Sequence, residues 1–491
     1  MKVVVNAYVL LTTVALSGLS MQSVALQDEA MEMVQDDDVS AIVGAEPEMD
    51  IDMDMAVDEQ DDEQAGQTNA TEMGAGLSSE GYQLNSTDGL EMGFELSNFE
   101  RYFLKPSRFT FKHEVSSRIH SPDGLVNNRS SFRYEYSKFF FDTMYVKFDS
   151  KITAFWGGDH RADAQDTDTM TREAFVQASF GDTSIKAGIQ MVVWGESEAG
   201  AITDVISPRN YSEFLLINLE DSRIGQPMIV VDQFTDGYGS WSFLYVPEAE
   251  LNEYPAKGTQ YDFDFFGPGA VFNDEPGDKD DSEYGLTWRK TVDRSDFSIL
   301  AASVIDNDYA LRGTGVNAEG NLTFDRVKQR YKMLGFTANY GTGDWLFTGE
   351  VAGKFGRGYN NGNFDLLEKD QIDASFEIEY ALGAGNSVSV ELVNKHISGY
   401  SADIIGNPRD SQTLVLSTFQ QFLNDELTLT WLGIFNEPYT SMTNAIYVAY
   451  NISDTLSINF DTYLFDIDDE RSGLYANRDQ EQVVFKIAYQ F

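Results

Sequence analysis

One short stretch of the chain concentrates charged residues around a single tryptophan. Between Ile189 and Pro227, a Trp-Gly-Glu sequence ends at Glu196 and is followed by further acids and two arginines. The candidate residues for a constriction in this stretch are Trp194, Glu196, Asp204, Arg209, Glu220, Asp221 and Arg223. Acids and bases placed this close together either pair with one another or present fixed charge to a polar solute. From the sequence, both interpretations stay open.

Catalytic chemistry has little support in the sequence. Nucleophilic hydrolysis needs a histidine beside a serine and an acid or amide. His396 lies near Ser398 and Asn394, which makes an outer-membrane hydrolase an alternative, but no further motif surrounds it. The chain's 4 histidines are His113, His120, His160 and His396. Acidic stretches such as 274–283 and 466–470 lack the regular ligand spacing of a calcium-binding loop. We therefore expect no enzyme activity, no cofactor and no metal site.

The elements that position these residues are β-strands. From Ser107 onward, apolar and polar residues alternate in segments of about ten residues, the length that a tilted membrane strand needs. The predicted strands are 107–120, 129–139, 143–155, 172–180, 183–194, 227–235, 239–247, 283–293, 296–305, 330–340, 344–356, 369–381, 386–397, 411–423, 425–436, 442–452, 455–466 and 480–491. The predicted fold class is all-β, a transmembrane antiparallel β-barrel over 107–491 with about 18 strands, or 16–18 if a hairpin is miscounted.

The connections between these strands alternate in length. Every second connection is a tight turn, such as Gly181-Asp182 or 341–343, whereas the others are mostly long, such as 195–226 and 248–282. Short turns at one end and long loops at the other are typical of an outer-membrane barrel. The 195–226 loop has hydrophobic residues of its own, so we expect it to fold into the lumen as a constriction.

The final strand supports the same fold. Its apolar residues share one face and end on an aromatic residue: Val483, Phe485, Ile487, Tyr489 and Phe491. Such a strand resembles the signal that the barrel-assembly machinery reads in the outer membrane. We therefore expect the outer membrane of a Gram-negative bacterium as the location. Barrel-assembly machinery, outer-membrane lipid and lipopolysaccharide are the expected partners.

The alternation also assigns the lumen. An apolar strand face must point to lipid, because a charge at mid-depth costs about 2 to 4 kcal/mol there. The opposite face places a basic group of side chains in the lumen, namely Arg108, Lys112, Arg133, Lys147, Lys151 and Lys186. It also places an acidic group there, namely Asp373, Glu377, Glu379 and Glu391. These charges either form opposed walls that filter polar solutes or pair with neighbouring residues to hold the barrel.

The region before the barrel divides into three parts. Residues 1–25 have the basic start, apolar run and small residues before Ala25 of a secretory signal peptide. Residues 26–76 form an acidic tail with 17 Asp or Glu between Gln27 and Glu72 and no Lys or Arg, which predicts disorder. Residues 77–106 are a pre-barrel segment that folds against the barrel or partly plugs it.

The overall charge excludes one class of partner. The formal net charge is −46, from 80 acidic and 34 basic residues. A surface this acidic repels the phosphate backbone, so we expect no nucleic-acid partner.

The loop motif resembles a known family. It is similar to the pattern of uncharacterised Gram-negative outer-membrane proteins defined by a domain of unknown function. The matching residues are Gly188, Gln190, Trp194, Gly195, Glu196, Asp204, Pro208, Arg209, Glu220, Asp221, Arg223 and Pro227, with Ser207 where Asn is usual. The resemblance covers about Phe94 to Phe491 and is specific only across 186–230.

The resemblance also bears on function. Such proteins are often encoded beside a LolA-like periplasmic carrier and an RND-type transporter, which implies a lipid or hydrophobic-compound trafficking pathway with those partners. The lumen charges instead favour a channel or transporter for a small polar, anionic or lipid-like molecule, with the 195–226 loop as its constriction. We carry both hypotheses forward.

Overall fold

The structure is a computed structural model. It describes residues 100–120, 125–141, 143–157, 167–197, 202–213, 221–255, 261, 270–274 and 280–491. The predicted signal peptide (1–25), the acidic tail (26–76) and residues 77–99 lie outside this part. Within the described residues, no helix combines the length and hydrophobicity needed to cross a membrane.

Eighteen strands form one closed antiparallel sheet, which confirms the predicted fold class and strand count. Each predicted strand overlaps one strand of the barrel. The barrel strands and three further strands are β1 (Ser107–Arg118), β2 (Leu125–Phe140), β3 (Met144–Gly157), β4 (Thr167–Phe180), β5 (Thr183–Gln190), β6 (Gln226–Thr235), β7 (Gly239–Val246), β8 (Val271–Asp274), β9 (Glu283–Val292), β10 (Ser295–Ile305), β11 (Ala310–Val316), β12 (Leu322–Val327), β13 (Arg330–Thr342), β14 (Trp345–Asn360), β15 (Leu366–Gly383), β16 (Asn386–Ser398), β17 (Asp410–Phe422), β18 (Leu427–Glu437), β19 (Ser441–Ser453), β20 (Leu456–Asp466) and β21 (Gln482–Gln490).

The first and last strands close the barrel. β1 pairs with β21 from Thr110 opposite Gln490 to Arg118 opposite Gln482. Beyond this ladder, the backbone N–H groups of Phe109 and Phe491 each donate to the other residue's carbonyl at 2.9 Å. Their rings stack with centroids 5.5 Å apart. The C-terminal aromatic residue therefore fixes the seam at its short-turn end.

Side-chain alternation divides the barrel into an apolar outside and a polar inside. Outward residues such as Phe376 and Ile372 are exposed over 52% and 49% of their surface. Asp373 lies on the same strand but points to the opposite face, and it is fully buried. Consecutive strand residues point to opposite faces, so one face of every strand meets the membrane and the other the lumen.

The two ends of the barrel differ. Short turns join the strands at one end, and several of them contain positive-φ residues, including Gly181, Gly237 and Gly343. Most connections at the other end are long. Two of them supply a small three-stranded sheet outside the barrel, in which β12 pairs antiparallel with β11 and parallel with β8. The periodicity did not predict this sheet, because its strands are short and lie within loops.

The described end of the pre-barrel segment contacts the outside of the barrel. A single π-helical turn spans Glu100–Leu104. The Tyr136 hydroxyl donates to the Tyr102 carbonyl at 3.0 Å, and Lys138 lies 4.9 Å from the centre of the Tyr102 ring. Because Tyr136 and Lys138 belong to the outward face of β2, residues 100–106 lie against the barrel wall and not in the lumen.

Candidate functional site

The connection between β5 and β6 crosses the lumen. The name crossing loop is used for this connection, of which the structure describes residues 191–197, 202–213 and 221–225, most of them within the predicted 195–226 constriction. On one side, Arg129 of β2 pairs with Glu213, and Lys151 of β3 pairs with Asp221. On the other side, Ser197 hydrogen-bonds through its hydroxyl to a carboxylate of β16. β2 and β3 lie roughly opposite β16 in the strand order, so the loop spans the barrel interior.

Three of the six predicted charged residues of this loop bind one another. Asp204 is buried, and its Oδ2 accepts hydrogen bonds from Arg209 Nη2 and Arg223 Nη2, each at 2.8 Å. Its Oδ1 accepts the backbone N–H of Trp194 at 3.0 Å. These bonds join three separate parts of the loop at one carboxylate. Of the two interpretations, pairing within the loop therefore holds for Asp204, Arg209 and Arg223. Glu220 lies outside the described residues.

A hydroxyl outside the charged set closes the base of the loop. Ser207 stands where the family pattern usually has Asn. Its Oγ accepts the backbone N–H of Val192 at 2.8 Å and donates to the Val192 carbonyl at 2.9 Å. A serine can make both bonds because one hydroxyl is both donor and acceptor.

Glu350 of β14 holds the tip of the loop. This carboxylate accepts the backbone N–H groups of Glu196 and Ser197, the latter at 2.7 Å, and the Thr203 hydroxyl at 3.0 Å. Only 4% of Glu350 is exposed. The sequence analysis did not single it out. The alternation of Phe347, Val351 and Phe355 already places Glu350 on the inward face of its strand, so the same rule would have found it.

Glycines in the wall make room for the loop. A Cβ at Gly285 of β9 would lie 2.4 Å from Cη2 of Trp194, and one at Gly335 of β13 would lie 2.7 Å from Cγ2 of Thr203. Two hydrophobic residues of the same loop, Ile202 and Ile206, are fully buried. The loop therefore fits depressions in the wall as a packed part of the core.

The basic group of lumen residues is matched by carboxylates. Arg133 binds Asp149 at 2.7 Å, Lys147 binds Glu173 at 2.5 Å, and Arg108 binds Glu135 at 3.0 Å near the short-turn end. The remaining members of the group also lie near acids: Lys112 interacts electrostatically with Asp221 and Glu114, Lys151 binds Asp221, and Lys186 lies 3.9 Å from Asp232. This wall is thus a ladder of ion pairs and does not carry uncompensated positive charge.

Asp221 connects this ladder to the crossing loop. Burial disfavours its charged form, but Lys151 and Lys112 more than offset that cost and lower the pKa of the carboxyl well below its ordinary value. The ion pair is therefore charged at neutral pH and anchors the returning half of the loop.

The acidic group lies on β15 and β16. Asp373 binds Lys354 of β14 at 2.8 Å, whereas Glu377 faces Glu391 directly across the two strands. Glu391 accepts the hydroxyl of Ser197 at the loop tip. Glu379 lies one inward position further toward the short turns. The part of the lumen beside the loop tip is therefore lined by carboxylates.

A second loop also enters the lumen, which the sequence analysis did not predict. Tyr261, in the connection between β7 and β9, is only 1% exposed. Its hydroxyl accepts a hydrogen bond from Gln482 Nε2 of β21 at 3.2 Å. In the same connection, Asn252 and Tyr254 both donate to Asp308 Oδ1 at 2.6 Å. Two loops therefore share the long-loop end of the lumen.

The described histidines have polar neighbours on the barrel surface. His113 shares a hydrogen bond of 2.9 Å with the Ser130 hydroxyl, and His396 lies 2.5 Å from Asp410. His120 contacts Glu481, and His160 lies outside the described residues. His396 and Asp410 form a dyad on the outward face, but the contacts described for it do not include a serine.

Comparison with protein families assigns the chain. The family described as "Protein of unknown function (DUF1302)" matches residues 6–430, and the chain belongs to this family. This confirms the predicted membership of an uncharacterised family defined by a domain of unknown function. No match was found among curated proteins. The predicted gene neighbourhood stays a prediction.

Several solved barrels resemble the chain in overall shape. OccAB2 of Acinetobacter baumannii is 11% identical with a TM-score of 0.47, the match covering 78% of this chain and 97% of that one. The BenF-like porin of Pseudomonas fluorescens Pf-5 is 11% identical with a TM-score of 0.46, covering 79% and 97%. Pseudomonas aeruginosa OpdK, solved with vanillate, is 10% identical with a TM-score of 0.46, covering 78% and 98%. Likeness at this level says nothing about the solute of this chain.

Proposed function

We propose that the protein is an outer-membrane channel for small polar solutes, in which the crossing loop is a fixed constriction. The apolar outward face and polar inward face support a barrel that separates lipid from an aqueous path. The observation that carries the proposal is the span of the loop from Arg129 and Lys151 on one wall to Glu350 and Glu391 on the other.

The contacts favour a fixed constriction over a moving gate. A gate must exchange one set of contacts for another of similar free energy. Here the loop tip would have to leave the Glu350 carboxylate, and Trp194 would have to leave the depression at Gly285. A buried donor left without an acceptor costs about 1–3 kcal/mol, so several such losses together oppose opening.

A disulfide between the loop and the wall tests this directly. The chain has no cysteine, and a Cβ at Gly335 would lie 3.6 Å from the Thr203 Cβ, within the range that disulfides adopt. We expect the double variant Thr203→Cys/Gly335→Cys to oxidise readily. In planar lipid bilayers, its single-channel conductance should be the same before and after reduction. A conductance that rises on reduction would show that the loop moves.

Release of the loop tip gives the complementary test. Glu350→Ala removes the acceptor of two backbone N–H groups and one hydroxyl, so we expect a larger and noisier conductance. Glu379→Ala is the matched control: it removes the same charge from the lumen about 13 Å further along the strands and should leave the noise unchanged. If neither wild type nor Glu350→Ala conducts, the protein is not a simple channel.

A further inference from the structure

Three consecutive hydrophobic residues just before the barrel have large exposed side chains. Tyr102, Phe103 and Leu104 are exposed over 48%, 41% and 45% of their surface. Lipid-facing residues of the strands, such as Phe376 and Phe132, are exposed to a similar extent, at 52% and 40%. A contiguous apolar patch on a protein surface marks a site of contact with a membrane or another protein. Here the exposure matches that of the barrel's own lipid-facing surface.

Contacts to the first two strands hold these residues at a fixed place on the barrel wall. The Ser137 backbone N–H donates to the Pro106 carbonyl at 3.0 Å, and the Ser107 hydroxyl donates to the Phe103 carbonyl at 2.5 Å. A third hydrogen bond runs from β2 to the Tyr102 carbonyl. The exposed residues therefore belong to the outer wall of the barrel.

The Phe103 ring continues an aromatic belt at the short-turn end of the barrel. Its centre lies 6.3 Å from that of Tyr134, whose ring stacks on Phe109 at 5.0 Å, and Phe109 stacks on Phe491 at 5.5 Å. Aromatic belts of this kind lie at the level of the lipid headgroups. Because short turns face the periplasm in outer-membrane barrels, this belt corresponds to the periplasmic leaflet.

Two lysines flank the exposed rings. Lys105 follows them in the chain and is exposed, and the Lys138 ammonium lies 4.9 Å from the centre of the Tyr102 ring. A lysine at a membrane surface can place its methylene groups against apolar surface while its ammonium stays at the polar boundary. The same short segment therefore offers apolar surface to acyl chains and positive charge to phosphate.

We propose that residues 102–105, together with Lys138 of β2, form an anchor that binds phospholipids of the periplasmic leaflet, with a preference for anionic headgroups. The anchor's apolar surface is continuous with the lipid-facing belt, and its two lysines complement phosphate. It fixes the entry of the chain into β1 on the lipid-facing side of the wall. This inference goes beyond the channel proposal, because it concerns lipid and does not depend on the solute or on conductance.

A single spin label can report the surroundings of the anchor, because the chain has no cysteine. Leu104→Cys is labelled in the full-length protein, which is folded into vesicles of phosphatidylethanolamine and phosphatidylglycerol. We expect oxygen, which concentrates in lipid, to relax the label more strongly than a water-soluble nickel complex does. Phe376→Cys on β15 should behave in the same way, whereas Glu319→Cys in the exposed β11–β12 hairpin should show the reverse. A Leu104→Cys label that behaves like the one at Glu319 would overturn the proposal.

Native mass spectrometry of the purified full-length protein tests the headgroup preference. We expect more phosphatidylglycerol than phosphatidylcholine of the same chain length to stay bound. Lys105→Gln should weaken phosphatidylglycerol binding about fivefold, the effect of one lysine at an anionic lipid surface. Lys332→Gln is the matched control, since it removes the same charge from an exposed position of β13 at the long-loop end, and it should change little. Equal losses in the two variants would show general attraction to charge and would contradict the site.

Discussion

Asp308 connects three segments at the mouth of the barrel. It accepts bonds from Asn252 and Tyr254 of one loop, and it lies 3.8 Å from Arg357 of β14. Burial, reinforced by the neighbouring Asp306, raises the pKa of Asp308 from its ordinary value of 3.8 to about 7. This carboxyl therefore changes charge near neutral pH while holding the second infolded loop.

The raised pKa gives a pH dependence of defined sign. Between about pH 4 and pH 7 the folded protein keeps a proton on Asp308 that the unfolded chain has lost, so stability falls as pH rises through that window. Asp308→Asn removes this effect. We expect the thermal midpoint of wild type to decrease relative to that of Asp308→Asn between pH 4 and pH 7. Above pH 7 the difference between the two should stay constant. Thermal unfolding followed by circular dichroism measures both midpoints.

The control for this prediction is an exposed carboxyl in the β11–β12 hairpin. Glu319→Gln makes the same change in charge at the surface and should follow wild type across the pH range. If Asp308→Asn also follows wild type, the Asp308 carboxyl does not link pH to stability.

At the scale of elements, the crossing loop and the barrel wall are complementary in shape. Gly285 and Gly335 are small where Trp194 and Thr203 are large. This complementarity involves both elements, because the need for glycine at these two positions arises only where the loop packs against the strand. Packing of this kind gives the loop one position and accounts for its burial.

Substitution of one wall glycine tests this complementarity. Gly285→Ala would place a Cβ 2.4 Å from the Trp194 ring, and overpacking of this kind costs about 1–3 kcal/mol. We expect a lower free energy of unfolding in denaturant, with partial recovery in Gly285→Ala/Trp194→Phe, because the smaller ring lacks the contacting atoms. Gly341→Ala, near the end of β13 with no atom within 4 Å of the new Cβ, should change little. Equal losses at Gly285 and Gly341 would argue against the fit.

At the scale of the whole molecule, the barrel is closed, acidic and partly filled by loops. The sequence carries a formal net charge of −46, yet the charges described inside the barrel are largely paired. The acidic surplus is therefore not concentrated in the ion-pair ladder.

The family resemblance predicts two partners in the cell envelope, a LolA-like carrier and an RND-type transporter. If the protein serves a trafficking pathway, chemical cross-linking in the native cell envelope followed by affinity purification of the full chain should recover a LolA-like carrier or an RND-type transporter. The same purification of an unrelated outer-membrane barrel is the control. Recovery of neither partner would count against that pathway and would leave the channel proposal unaffected.

Much of the barrel could be predicted from the sequence. The two-residue alternation is a local property, so it located all the barrel strands and the inward positions of Asp373 and Glu391. The outline of the site was also predictable, because Trp194 and the charges that follow it stand out in a loop too hydrophobic to be exposed. The small sheet of β8, β11 and β12 was not predictable, because its strands are too short for periodicity to mark them.

The sequence by itself determined the strands, their faces, the position of the turns and the presence of an infolded loop, because each depends on neighbouring residues. Only the tertiary structure decided the contacts between distant segments. Glu350 meets Glu196 across 154 residues of sequence, and Tyr261 meets Gln482 across 221. Such pairings depend on how a closed barrel brings opposite walls together around its loops. For the same reason, only the structure showed that Asp204 pairs with Arg209 and Arg223.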